Sequence, residues 1–167
     1  MQQDIHHSTS SIDADSANSQ LTEAKRILDE ALQCSQKGSK KSSWRSQYLM
    51  ILKAAQMGLD EAQYQVGNCY ILGYGVKKNA AMAEVWFRRA AKQGYSKAQE
   101  ALGRMYQRGQ GVHPDIVEAF KWFTLAVEAA EANKLFLRKR GKYYLERAFE
   151  CFTQAAKGVK DDLVDKA

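Results

Sequence analysis

Three cysteines, Cys34, Cys69 and Cys151, are the side chains of this sequence best suited to nucleophilic, redox or zinc chemistry, and their spacing argues against all three uses. A structural zinc site wants four ligands in fixed geometry, usually delivered as close pairs, and no C-x-x-C pair occurs. An odd number of widely spaced cysteines sets up no disulfide framework either, so they read as reduced thiols in a cytoplasm-like compartment. His6 and His7 are adjacent imidazoles, but in a stretch of Ser, Asp, Asn and Gln they read as solvated tail residues. His113 lies between Val112 and Pro114 with no Ser or Cys nucleophile motif near it. No catalytic residue, metal site or cofactor is expected, and the chain reads as a non-enzyme.

Two further patterns bear on phosphates. Gly73 with Gly75 and Gly109 with Gly111 are G-x-G pairs, yet neither is followed by the GK[ST] of a phosphate loop, so both read as turns. Lys134, Arg138, Lys139, Arg140 and Lys142 form the densest basic cluster, with no acidic residue between 134 and 145. Several phosphates could be neutralised there together. No aromatic stacking pattern accompanies the cluster, however, so it reads as a solvated basic face and nucleic acid is not an expected partner. The formal charge of +6 suits acidic surfaces and solubility equally well.

What must position any site is helical. Ala, Leu, Gln, Lys and Glu are abundant and Pro114 is the single proline, a composition that favours helix over sheet. Shifting the sequence by 36 residues brings Ala62, Gln63, Gly67, Tyr70, Gly73, Gly75, Val76, Ala83, Trp86, Phe87 and Ala90 onto identical residues at 98, 99, 103, 106, 109, 111, 112, 119, 122, 123 and 126. Each unit then reads as a helix pair. Asp60 and Ser96 are expected to cap the first helix, and Asn79 and Asp115 the second. Gly73 and Gly109 are expected to end the first helix in the left-handed conformation, and Gly67 and Gly103 to let a neighbouring helix approach closely. Trp86, Phe87, Trp122 and Phe123 fall at core spacing with the alanines around them, which makes them packing residues rather than a ligand cage.

These signals divide the chain into a disordered tail over 1–20, a degenerate first unit over 21–58, repeats over 59–94 and 95–131, a capping helix or helices over 132–157 and a flexible C-terminus over 158–167. The glycine loop is missing from the last unit, so 133–157 is expected to run as one long or kinked helix across the end of the stack. No run of about 18 apolar residues is present, so no membrane span is expected. The N-terminus lacks the basic start and apolar stretch of a secretory signal, which predicts a cytoplasmic location.

The pattern A-x-Y-x-x-G-x-x-Y-x-x-G-x-G-V-x-x-[N/D]-x-x-x-A-x-x-W-F-x-x-A-A-x-x-G, read over 62–94, resembles the Sel-one-like repeat family, relatives of the tetratricopeptide repeats. The copy from 98 departs at Glu100, Val127 and Ala130, which weakens the turn near 130. The resemblance implies an all-α solenoid of antiparallel helix pairs wound into a right-handed superhelix, and a role as an adaptor or scaffold for a partner protein or peptide. Other uses of such a module are an immunity-type inhibitor of a toxin or enzyme, or a translocated bacterial effector.

Positions that packing leaves free are the candidates for binding. One residue round from the core stripe of the first helices lie Gln65, Asn68, Cys69 and Leu72, then Ala101, Arg104, Met105 and Arg108. In a solenoid these are expected to line the concave groove. Their mixture of amide, apolar and guanidinium groups suits a segment with apolar and acidic groups, with Arg104 and Arg108, one turn apart, as anchors for a carboxylate.

Overall fold

Glycines, caps and apolar stripes resolve into seven helices among the described residues, with no strand. A computed structural model describes residues 9–36, 41–132 and 137–164. The helices are α1 (Thr9–Gln36), α2 (Lys41–Gln56), α3 (Asp60–Leu72), α4 (Ala80–Lys92), α5 (Ser96–Arg108), α6 (Ile116–Ala132) and α7 (Leu137–Val164). Substantial packing runs from each helix to the next, the quasi-one-dimensional contact pattern of a repeat stack.

The second-helix aromatic pair links the units. Trp86 of α4 packs backward, into the core that α1, α2 and α3 share with Ile27, Leu28, Ile51 and Val66. Its neighbour Phe87 turns forward, into the core shared by α4 and α5. The next unit repeats this: Trp122 of α6 joins the α4–α5 core, and Phe123 packs with Ala148 and Cys151 of α7. Adjacent residues on a helix point about 100° apart, so one Trp-Phe dipeptide can reach both neighbouring units. The Phe rings need Gly67 and Gly103 beneath them, since a Cβ added there would lie 2.4 Å from the Phe87 ring and 2.8 Å from the Phe123 ring.

Loop geometry repeats with equal fidelity. Gly73 and Gly109 end α3 and α5 at φ of 78° and 66°, left-handed values that favour glycine. Asn79 N–H then donates to the Tyr70 carbonyl and Asp115 N–H to the Tyr106 carbonyl, both at 3.0 Å. Buried Gln63 and Gln99 donate through Nε2 to the carbonyls of Ala55 and Ala91, at 3.3 and 3.2 Å, pinning each first helix to the end of the preceding one. This explains an amide within an otherwise apolar stripe.

The second-helix caps form as expected: the Asn79 side chain accepts from Met82 N–H, and Asp115 from Val117 and Glu118 N–H. Asp60 and Ser96 are not caps. The cap positions are Leu59 and Tyr95, without a side-chain hydrogen bond, because the preceding turn feeds the chain straight into the core, where Leu59 is buried. Asp115→Ala is therefore expected to cost about 1 kcal/mol, whereas Ser96→Ala should stay within about 0.5 kcal/mol. Chemical denaturation of the two variants checks the contrast.

The ends differ from the reading of the sequence. Helix α1 starts at Thr9, inside the stretch expected to be tail, because no Gly or Pro between 9 and 36 breaks it and it propagates from the packed turns around Ala24, Ile27, Leu28 and Ala31. Residues 1–8, including His6 and His7, lie outside the described residues. Helix α6 runs 17 residues against 13 for α4, as follows from Ala130 standing where Gly94 ended the equivalent helix. Helix α7 is one continuous element reaching Val164, into the stretch expected to be flexible. No helix among the described residues is long and apolar enough to cross a membrane.

Candidate functional site

Gln65, Asn68, Cys69 and Leu72 recur at i, i+3, i+4 and i+7, so α3 presents them on one face, beside the stripe that packs its core. The structure brings all four to the wall of a cleft of about 630 Å³ between α1, α2 and α3. Helix α1 contributes Ala31 and Leu32, α2 contributes Trp44, Gln47, Tyr48 and Ile51, and the loop after α3 contributes Tyr74. Trp44 and Tyr74 meet edge to face with ring centroids 5.1 Å apart and remain about half exposed, forming a lip. Deeper, the Tyr48 hydroxyl donates to the Tyr70 hydroxyl at 3.1 Å. Burial and that neighbour push the Tyr48 phenol up, so it stays neutral.

The wall carries no Asp, Glu, Lys or Arg, and its polar groups are side-chain amides with the hydroxyls of Tyr48 and Tyr74 and the indole N–H of Trp44. Asn68 Nδ2 donates to Gln65 Oε1 at 3.3 Å, and Gln47 Nε2 is buried with no hydrogen-bond partner. A buried donor without a partner is costly, of order 1–3 kcal/mol, and marks a place where an incoming acceptor is favoured. Cys69 is nearly buried and burial pushes its thiol up to about 11, so it is protonated at neutral pH and lines the cleft as an apolar group. Native iodoacetamide labelling of Cys69 is accordingly expected to be slow until the chain is unfolded, as peptide mapping would reveal.

The second half of the expected face behaves differently. Ala101 and Met105 are core residues, 8% and 3% exposed, packed with Ala83, Phe87, Ala90 and Trp122. Helix α5 lies between α4 and α6 and must bury more than one stripe, so Ala101 and Met105 of the face read as free are covered by α4 and by Trp122 of α6. Arg104 is half-exposed and its Nη1 lies 3.2 Å from Glu100 Oε1, while the other Glu100 oxygen accepts from the Tyr144 hydroxyl of α7 at 3.1 Å. Arg108 is exposed in the last turn of α5. Of the basic cluster, Lys134 and the side chains of Arg138, Lys139 and Arg140 lie outside the described residues; Lys142 is exposed, 3.9 Å from Glu146. Among the described residues no three His, Cys, Asp or Glu come together to hold a metal. His113 is exposed in its loop, its Nδ1 3.0 Å from the Pro114 carbonyl.

Trp44, Gln47, Tyr48 and Tyr74 escaped the sequence reading, which searched only the first helix of each full unit. One signal was available. Tyr74 is an aromatic between two loop glycines where the other copy has Gln110, a departure that packing does not require.

Compared with known families, residues 60–95, 96–131 and 143–158 match the Sel1 repeat model, together more than half of the chain. The chain belongs to the Sel1 repeat family. Its two full Sel1 repeats are the α3–α4 and α5–α6 pairs, and the third, partial match falls within α7. A protective antigen present in uropathogenic Escherichia coli strains, displaying an SLR fold, is similar at 29% identity and a TM-score of 0.57 over 80% of this chain. This chain spans only 32% of that antigen's length. A Sel1 repeat protein from Oxalobacter formigenes is similar at 27% identity and a TM-score of 0.58, over 76% of this chain and 97% of the other. No curated protein sequence matches the chain.

Proposed function

We propose that this Sel1 repeat protein is a non-catalytic adaptor that holds a segment of a partner protein in the cleft between α1, α2 and α3. Sel1 repeats generally mediate protein–protein interaction, and the observation that carries the reading here is the cleft itself. Trp44, Leu72 and Tyr74 offer apolar area at little entropic cost, and the unpartnered Gln47 amide offers a donor for a main-chain carbonyl. An uncharged wall selects an apolar anchor residue. Arg104 and Arg108 on the neighbouring α5 extend the site toward acidic groups flanking that anchor, with a partner carboxylate competing with Glu100 for Arg104. Buried free thiols at Cys69 and Cys151 support residence in a reducing, cytoplasm-like compartment. Pull-down from native lysate with the wild-type chain and with Leu72→Glu as bait, followed by calorimetric titration of what is captured, tests the reading. A partner retained equally by both baits would refute it.

A further inference from the structure

We propose that the outer face of α7 is a self-association surface, on which a second copy of this chain docks its own α7 antiparallel. Helix α7 packs on α6 through Tyr144, Ala148 and Cys151, and meets Phe123 as α5 meets Phe87 of α4. The adjoining face of α5 is covered by α6, whose Phe123 lies over Gly103. On the adjoining face of α7, about a quarter to a third of a turn round and bordering a groove against α6, stand Leu145, Phe149 and Phe152, exposed to 55%, 68% and 59%. Phe87 and Phe123, the stacking rings of the complete units, are 2% and 0% exposed. An exposed apolar row rimmed by charged side chains is the mark of an interaction site rather than of an ordinary surface.

The sequence of α7 identifies the occupant. Ala148, Phe152, Ala155 and Ala156 reproduce, at one constant offset, Ala83, Phe87, Ala90 and Ala91 of α4, and the partial repeat match at 143–158 covers them. A helix of second-helix sequence thus sits in a first-helix seat, and the partner which that seat lacks is a second helix. The α7 of another copy is such a helix. The exchange is reciprocal, as an isologous two-fold contact requires. The row is also self-complementary, because an antiparallel copy sets Leu145 against Phe152 of the other chain while the two Phe149 rings meet at the axis. Phe120 of α6, its ring centroid 6.5 Å from that of Phe152, widens the row across a groove of about 340 Å³.

Charge at the rim permits the contact. The chain carries +6 overall, which opposes self-association, but beside the row Lys142 pairs with Glu146 at 3.9 Å and Arg147 with Glu150 at 2.8 Å. The charges described beside the row are thus paired within each copy, so the centre of the contact brings no unpaired like charges together.

Sedimentation equilibrium of the full chain is expected to give a concentration-dependent monomer–dimer equilibrium. Phe149→Glu should raise its dissociation constant by at least about tenfold with unchanged helical circular dichroism, and Leu72→Glu, in the α1–α3 cleft, should leave it unchanged. A wild-type chain that stays monomeric, dimerisation of Phe149→Glu as tight as wild type, or loss of the dimer in Leu72→Glu overturns the proposal. Should Phe149→Glu lose its helical signal, Phe149→Cys decides. Oxidative cross-linking above the background from the native cysteines supports the two-fold contact, and its absence overturns it.

Discussion

Replacing Trp86 or Trp122 with alanine is expected to destabilise the chain by about 3–5 kcal/mol, the range for emptying a buried aromatic site. Both rings are 7% exposed and each sits in the core of the unit before its own. Their loss opens a cavity at the junction between units, where a repeat stack holds its coupling energy. Arg89 lies over the Trp86 ring at 4.6 Å and Arg88 over Trp122 at 5.6 Å, so each substitution also removes a cation–π contact of about 0.5–1 kcal/mol. At about 2–4 °C per kcal/mol for a chain of this size, the melting temperature should fall by roughly 10 °C. Unfolding should also lose cooperativity, with far-ultraviolet circular dichroism and Trp fluorescence no longer melting together. Melting close to wild type in both variants would place the rings outside the core and contradict the architecture.

The second large effect is on binding. Leu72→Glu puts a carboxylate into a cleft whose wall holds no charge, and should weaken the partner by about ten- to a hundredfold, the effect of losing one central apolar contact and stranding a charge. Leu72 is half exposed, so stability should change by less than about 0.5 kcal/mol. The paired test neutralises Arg104 and Arg108 to Gln together. Neutralisation is preferred to reversal because Glu100 lies 3.2 Å from Arg104, and a new carboxylate there would confuse repulsion within the chain with loss of the partner. Affinity is expected to fall at least tenfold, as follows from losing one charge-assisted contact of more than about 1.4 kcal/mol. If Leu72→Glu binds like wild type, the cleft is not the site. If the Arg pair binds like wild type while Leu72→Glu does not, the partner's anchor is apolar and carries no acidic flank.

These effects were legible to different degrees. The Trp-Phe pairs, the glycines beneath them and the Asn79 and Asp115 caps could be read directly, because each is a local requirement of helix geometry repeated at a fixed period. The caps assigned to Asp60 and Ser96 failed because the turn before them is set by what Leu59 and Tyr95 pack against, not by the propensity of the next residue.

The sequence by itself determined that this chain is a stack of helix pairs, where its loops turn and which rings fill its core. Spacing along a helix converts into direction in space without reference to the rest of the molecule. Only the tertiary structure decided which of the remaining faces are open. Gln65, Asn68, Cys69 and Leu72 line a cleft while their counterparts Ala101 and Met105 are buried, although the two sets occupy the same repeat positions. The difference lies in the neighbours: α2 brings Trp44 and Tyr48 to one face and leaves a gap, whereas α4 and α6 close over the other. Exposure depends on which side chains the neighbouring helices bring and how closely they pack, and no period within the helix itself records that.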